Sequence, residues 1–561
     1  MWTLVMLSGL NLLVMHYYIY YSVYQETKVD ITILFDNLLG VFIDLSILII
    51  IISVITWWKT KPALLLTYII TLLWSFSNVM YSRFFHHYLT LSAIEQIDVL
   101  KNDLIIRSIE NNFRWTDLYY ILSPLVFYYF YRNTNFSFKV TSAAKRILLT
   151  TFIFLLISPC IHAAYCLCHK DFRYTAYYLH RLYSFQISTH RTLSEPNFTN
   201  FERGSIRKLS VELYLDLLGT LELTKEQREI IAKEIADSKS TLNDLKKTSI
   251  NKNVIFILVE SSMSFTSDMI VDGKEVTPFL NALKHDSTVY YNGKMHENVT
   301  VGESSDGQFI YMTGLLPLRS IVTVSQARKK SQPALPKYLH RKSQMIIPTP
   351  ADVWSQSEMC QQYGFESLIS SDAYSDGIPS GLTDEQVFQL AEQKEIFSGK
   401  PSFSVILTLS MHQPYKEQID STFLIKDPVI SEELACYLNA CHYTDHQIGK
   451  YISHLKQKGI YDNSLIVIAA DHPVHATDFG GRSKDIPLYI ANIPSNIQKS
   501  MWKGECNQID VFTTLLDLLN IKSDWYGLGS SLLSPNYSNK ISNQKWEVSE
   551  WIIRGNYFHN Q

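Results

Sequence analysis

Asn253-Val-Ile-Phe-Ile-Leu-Val259 runs straight into Glu260, and Ser464-Leu-Ile-Val-Ile-Ala-Ala470 runs into Asp471-His472. Both runs are short, β-branched and bounded by polar residues, the pattern of a strand buried on both faces of a sheet. Ser402-Phe-Ser-Val-Ile-Leu-Thr-Leu409 is a third of the same kind. Helical stretches near 277 to 285, 305 to 313, 383 to 394, 430 to 458 and 508 to 520 lie between and after these strands, so the carboxyl-terminal half reads as an α/β domain with a mainly parallel sheet. In such sheets the site forms just beyond the carboxyl ends of the strands. Glu260, Asp471 and His472 stand there, and their oxygen and imidazole donors suit Zn²⁺ or Mn²⁺.

The rest of the chain is of another kind. Residues 1 to 168 are dense in Leu, Ile, Phe, Tyr and Trp, with apolar stretches near 4 to 24, 37 to 57, 63 to 81, 117 to 131 and 147 to 167. Most approach the roughly 20 residues that cross a hydrocarbon layer of about 30 Å, so five transmembrane helices are expected. The first run has no basic segment before it and no small-residue cleavage site after it, and reads as a retained anchor. Lys59 and Lys61 make one connecting loop basic, and Arg132, Lys139, Lys145 and Arg146 another. Basic loops stay in the cytoplasm, which puts everything after residue 168 outside, away from cytosolic ATP. The segment 169–250 carries helical runs at Ser210 to Thr220 and Thr224 to Asn243 and reads as a helical connector, leaving 251–561 as the catalytic domain.

Composition removes other classes. The 561 residues leave room for a membrane part and a large globular part. A net charge of -3 offers no basic stripe for nucleic acid. The seven cysteines have neither the paired spacing of a zinc ribbon nor the density of a disulfide scaffold.

Val301-Gly-Glu-Ser-Ser-Asp-Gly-Gln-Phe309 is a polar turn entering an apolar helix, which places Ser304 or Ser305 at a helix N-cap. A helix amino terminus favours anions, and an adjacent divalent metal lowers the pKa of a hydroxyl, so the position also suits a nucleophile.

With Thr277-Pro-Phe-Leu-Asn281, Gly302-Glu-Ser-Ser-Asp-Gly-Gln-Phe309, Met411-His-Gln-Pro-Tyr415, Tyr443-Thr-Asp-His-Gln-Ile-Gly449 and Tyr461-Asp-Asn-Ser-Leu-Ile-Val-Ile-Ala-Ala-Asp-His472, the chain resembles the lipoteichoic acid synthase-like family. It also resembles that family's relatives, the lipid A phosphoethanolamine transferases, all within the alkaline phosphatase–sulfatase superfamily. The resemblance implies a sulfatase-like catalytic domain in which Glu260, Ser304, Asp471 and His472 hold one divalent metal, Mn²⁺ or Zn²⁺ with Mg²⁺ as a third candidate. Ser304 stands where the family has a nucleophilic threonine, and His412 matches a position at the substrate phosphate.

Two phosphate handles of the family are replaced: Ile347 stands for a histidine and Gln356 for an arginine, while Trp354 is kept. Losing the arginine fork removes bidentate phosphate recognition. Trp354, Gln356, His412, His475 and Arg482 are then the expected substrate-binding residues, with His475 and Arg482 as replacements for the lost charge.

The implied reaction moves a phospho-group of phosphoglycerol or phosphoethanolamine type from a membrane phospholipid to an envelope glycan or lipid, at the outer face of a bacterial cytoplasmic membrane. Phosphatidylethanolamine and phosphatidylglycerol are the leading donors, which the sequence does not rank. Hydrolysis of phosphate or sulfate esters is the alternative, but Ser304-Ser-Asp-Gly-Gln308 lacks the context of a formylglycine sulfatase.

Overall fold

The computed structural model describes residues 2–24, 31–85, 88–89, 114–134, 141–153 apart from 143 and 152, 204–217, 220–240 and 252–558. Within the last stretch it leaves out 301, 320, 374–380, 398, 414, 416, 475–478, 495–496, 498–503 and 536. The chain divides into two compact units near residue 218.

The first unit is built from α1 (Trp2–Tyr24), α2 (Ile31–Ile55), α3 (Thr60–Phe85), α4 (Leu118–Asn133) and α5 (Ser205–Leu217). Among the described residues three helices are long and apolar enough to cross a membrane, over Trp2–Tyr20, Asn37–Ile55 and Thr60–Arg83. The expected five are not confirmed among the described residues. The stretch at 117 to 131 does form a helix, but α4 has 16 residues with Pro124 inside, short of the roughly 20 a span needs. Most of 147 to 167 lies outside the described residues.

Several polar groups inside this unit pair with one another, as an apolar setting favours. Asn11 donates to Thr71 at 3.2 Å and accepts from the Tyr119 hydroxyl at 2.7 Å. Arg83 forms a two-pronged pair with Asp117 at 2.8 and 2.6 Å. Asp44 accepts from the Ser205 hydroxyl at 3.1 Å and from the backbone of Ile206 and Arg207 at 3.1 and 3.0 Å, so a carboxylate of α2 caps the start of α5. Gly204 makes this possible: a Cβ there would sit 2.2 Å from an Asp44 oxygen. The segment expected as a connector is thus divided, since α5 packs in the first unit and α6 (Lys225–Ser240) in the second, where Gln544 donates to Glu234 at 2.9 Å.

The second unit is organised by eight strands: β1 (Asn253–Val259), β2 (Tyr290–His296), β3 (Lys342–Ile346), β4 (Ser367–Ile369), β5 (Ser402–Leu407), β6 (Ser464–Ala470), β7 (Ile486–Ala491) and β8 (Cys506–Asn507). Their order across the sheet is β8-β2-β7-β6-β1-β5-β3-β4, and β7 alone pairs antiparallel to its neighbours. β1 lies centrally, in register Val259 to Ala470 with β6 and Leu258 to Leu407 with β5. Every residue of β1 and β6 is buried, as expected for strands covered on both faces. The shared register brings Glu260 and Asp471 out at the same level, side by side.

α8 is reached after α7 (Pro278–His285) and spans Ser304–Thr313. It is buried from Ser305 onward. Tyr311 donates to the Ala470 carbonyl at 2.7 Å, which ties this helix to the end of β6.

Candidate active site

Two backbone irregularities and a side-chain hydrogen bond at a strand end aim the candidate residues at one another. Ser261 takes φ 50 directly after β1 and turns the chain off the sheet. Its backbone N–H donates to Asp471 Oδ1 at 2.9 Å and its hydroxyl to Glu260 Oε1 at 2.6 Å, while the Tyr437 hydroxyl donates to its carbonyl at 3.0 Å. Glu303 takes φ 44 and ψ -118 at the start of α8. At the end of β6 the His472 N–H donates to Asp471 Oδ1 at 2.8 Å. His472 Nδ1 faces the Pro473 carbonyl at 2.8 Å. A carbonyl only accepts, so that nitrogen carries a proton and Nε2 points inward.

Ser304 meets this group. Its hydroxyl lies 3.0 Å from His472 Nε2 and donates to Glu260 Oε2 at 3.3 Å. The N-cap expectation needs correcting: Glu303 occupies the cap position without a side-chain cap bond, and Ser304 is the first helical residue. Its hydroxyl is spent on the cluster instead. Ser305 turns away and donates to the Gly302 carbonyl at 2.8 Å.

Glu260, Asp471 and His472 are buried, and their donor atoms lie within 4.8 Å of one another. The charges interfere. Burial pushes the Glu260 carboxyl up, but the imidazoles of His412 and His472 and the Ser261 hydroxyl outweigh it and hold it below the usual range. Asp471 moves the other way, lifted to about 7 by burial and by the Glu260 charge beside it. Burial pulls the His472 imidazolium down, yet Asp471 and Glu260 more than reverse this and raise it to about 9. With the imidazole neutral, two carboxylates this close both ionise only if a cation joins them. The donor set therefore fits a divalent metal, with the Ser304 hydroxyl as a fourth donor beside it.

A cleft of about 220 Å³ opens onto the cluster, lined among the described residues by Glu260, Ser261, Glu303, His412, Gln413, Tyr415, His472 and Val474. His412 is therefore brought to the site from the segment after β5, its backbone N–H held by the Leu409 carbonyl at 2.8 Å.

The other expected substrate-binding residues are placed differently. Gln356 is buried and exchanges amide hydrogen bonds with Gln308 of α8, at 2.7 and 3.1 Å, rather than lining the cleft. Ile347 is fully buried. Trp354 sits in a left-handed turn, φ 54, and is not among the described lining residues. Arg482 donates to the Phe479 carbonyl and lies with its guanidinium 5.5 Å from the Phe265 ring centre, apart from the lining set. His475 lies outside the described residues. Conversely, Ser261, Glu303, Gln413 and Tyr415 line the cleft without having been singled out. Only the polarity of Gly302-Glu303-Ser304 hinted at one of them.

Comparison with known proteins agrees with this architecture. Residues 252–521 match the sulfatase family model, and residues 3–178 match that of the lipoteichoic acid synthase N-terminal domain. The lipoteichoic acid synthase of Staphylococcus saprophyticus is 22% identical over 554 residues, covering 93% of this chain and 83% of that protein. Lipoteichoic acid synthase 2 of Bacillus subtilis is 29% identical over 317 residues, which are 52% of this chain and 48% of that one. Among solved structures, the lipoteichoic acid synthase LtaP of Listeria monocytogenes superimposes with a TM-score of 0.48 at 19% identity, over 59% of this chain and 98% of that one. With a sulfatase domain following a lipoteichoic acid synthase N-terminal domain in one polypeptide, the chain belongs to the lipoteichoic acid synthase-like enzymes of the alkaline phosphatase–sulfatase superfamily.

Proposed function

We propose that this enzyme transfers a phospho-group of phosphoglycerol or phosphoethanolamine type from a membrane phospholipid to an envelope glycan or lipid, through a covalent intermediate on Ser304. The observation that carries the reading is the position of the Ser304 hydroxyl, 3.0 Å from His472 Nε2 and 3.3 Å from Glu260 Oε2, at the amino end of a buried helix. The relatives support it, being lipoteichoic acid synthases by name.

Glu260, Asp471, His472 and Ser304 would hold one divalent ion, Mn²⁺ or Zn²⁺ with Mg²⁺ as third candidate. When bound, it balances the two carboxylates and lowers the pKa of the serine hydroxyl. Ser304, its proton given up to solvent, attacks the phosphorus of the donor diester. The bond from Oγ to phosphorus forms, and the bond from phosphorus to the diacylglycerol oxygen breaks. His412, which lines the cleft, gives a proton to that oxygen. In the second half the acceptor hydroxyl loses its proton to His412, forms its bond to phosphorus and releases Oγ. The amino end of α8 favours the negative charge that builds on the phosphoryl oxygens.

Transfer is favoured over hydrolysis because one polypeptide joins the catalytic domain to helices able to span a membrane. That tether raises the effective concentration of a lipid donor and does nothing for a soluble ester. The test uses full-length protein in vesicles with headgroup-labelled phospholipid and envelope extract. Diacylglycerol release with label passing to a glycan or lipid supports transfer. An untouched phospholipid alongside brisk cleavage of small soluble esters contradicts it.

A further inference from the structure

We propose that α5 (Ser205–Leu217) is immersed in the membrane, with its exposed face against the acyl chains of one leaflet. The leaflet is the one opposite the Lys59 and Lys61 loop, expected to be the outer one.

Two contacts set the depth at which this helix starts. Asp44 of α2 accepts from the Ser205 hydroxyl and from the backbone of Ile206 and Arg207, and Trp74 of α3 donates its indole N–H to the Ser205 hydroxyl at 2.8 Å. Asp44 stands seven residues inside the Asn37 end of its candidate span, and Trp74 nine residues inside the Arg83 end of the next. At the rise of an α-helix these are depths, along the helix axes, of roughly 10 and 13 Å. A short turn at 56 to 59 joins α2 to α3, so Asn37 and Arg83 lie on the same side and the two anchors report one level. Gly204 permits the approach: its φ is 92, and a Cβ there would stand 2.8 Å from the Gly40 carbonyl oxygen. The start of α5 is thus held among the spans rather than on top of them.

At that level the helix is inside out for one that faces water. Its buried side carries Ser205, Lys208, Val211 and Glu212, with Lys208 and Glu212 in an ion pair at 2.9 Å. Leu213 and Leu217, one turn apart on the other side, are 48% and 75% exposed, and Tyr214 is exposed beside them. A helix bathed in water turns such residues the other way. In hydrocarbon the observed pattern is the stable one, with paired charges inside, leucines outside and a tyrosine able to reach the headgroup level. The same face continues an apolar surface that already belongs to lipid, since Leu73, next to Trp74 on α3, is exposed as well. With 13 residues α5 is too short to cross the layer, and the exposed Lys225 and Glu229 of α6 belong in water. α5 therefore leads the chain out of the leaflet towards the catalytic domain.

The experiment uses unmodified full-length protein in phosphatidylcholine vesicles in which one acyl chain of the lipid carries a diazirine. After irradiation, lipid adducts are mapped by mass spectrometry, and hydroxyl-radical footprinting of unlabelled vesicles reads contact with water. Adducts are expected on Leu213, Tyr214 or Leu217 as on Leu73, with the first three spared by the radical while the exposed side of α6 is oxidised. Adducts on α3 but none on α5, together with oxidation of Leu213, Tyr214 and Leu217, would place that face in water and overturn the proposal. If neither reagent reaches the three residues while α3 is labelled and α6 oxidised, protein covers the face, and the proposal is equally overturned.

Discussion

Gly307 packs directly against the backbone of Asp471: a Cβ on residue 307 would stand 2.2 Å from the Asp471 carbonyl oxygen. That same carbonyl accepts from the Gln508 amide at 2.6 Å, so it cannot yield easily. The helix bearing Ser304 is thereby set at a fixed distance from the strand end bearing Asp471 and His472. Gly307→Ala should push α8 outward, at a cost of about 1–3 kcal/mol for overpacking, and lower turnover far more than it lowers folding. Thermal unfolding beside turnover checks this. Wild-type turnover in the variant would show that the spacing is not needed.

The two adjacent serines should separate cleanly. Ser304→Ala removes the hydroxyl facing His472 and Glu260 and should abolish turnover, with stability changed by no more than about 1 kcal/mol. Ser305→Ala loses only the bond to the Gly302 carbonyl, should cost about 1 kcal/mol, and should remain active. An active Ser304→Ala beside an inactive Ser305→Ala would reverse the assignment.

Metal binding should be coupled to proton release. In the metal-free site burial and the Glu260 charge hold Asp471 up near 7, and the two carboxylates hold His472 up near 9. A metal takes the deprotonated donors, so it competes with those protons, and its affinity should rise with pH through the window from about 7 to about 9 and level off above it. Titration calorimetry in two buffers of different ionisation enthalpy counts the protons released. Glu260→Ala and His472→Ala should each lower the metal content of purified protein. Unchanged content in both variants means the ion sits elsewhere.

Much of this was readable from residues alone, for identifiable reasons. The strands ending at Val259 and Ala470 are fully buried, so their sequences are unbroken apolar runs, and the first polar residue after each is where the chain leaves the sheet. Glu260, Asp471 and His472 follow from that. What was not readable depends on backbone torsion or on distant partners. Nothing in Gly302-Glu303-Ser304 announces φ 44 at Glu303, which moves the cap back one residue and frees the Ser304 hydroxyl. Gln356 was expected at substrate, but its partner Gln308 lies 48 residues away, and only the fold brings them together. The stretch at 117 to 131 is apolar enough to suggest a span, yet Leu118–Asn133 is too short to count as one by length.

Orientation in the membrane has its own test. Lys59, Lys61, Arg132, Lys139, Lys145 and Arg146 mark the loops expected to stay in the cytoplasm. Reporter fusions after residue 170 should be active only with a reporter that works outside the cytoplasm. Activity of a cytoplasmic reporter there would reverse the orientation and remove access to an outer-leaflet donor.

Transfer through Ser304 requires a covalent bond between its hydroxyl oxygen and the transferred group. Metal-loaded full-length protein in vesicles should be acid-quenched within the first turnover without acceptor, digested and analysed by mass spectrometry. The peptide carrying Ser304 should gain the mass of one phospho-headgroup, the adduct should disappear when acceptor is added, and Ser304→Ala should never show it. Diacylglycerol released at full rate with no adduct on Ser304 at any time would rule out a Ser304-bound intermediate.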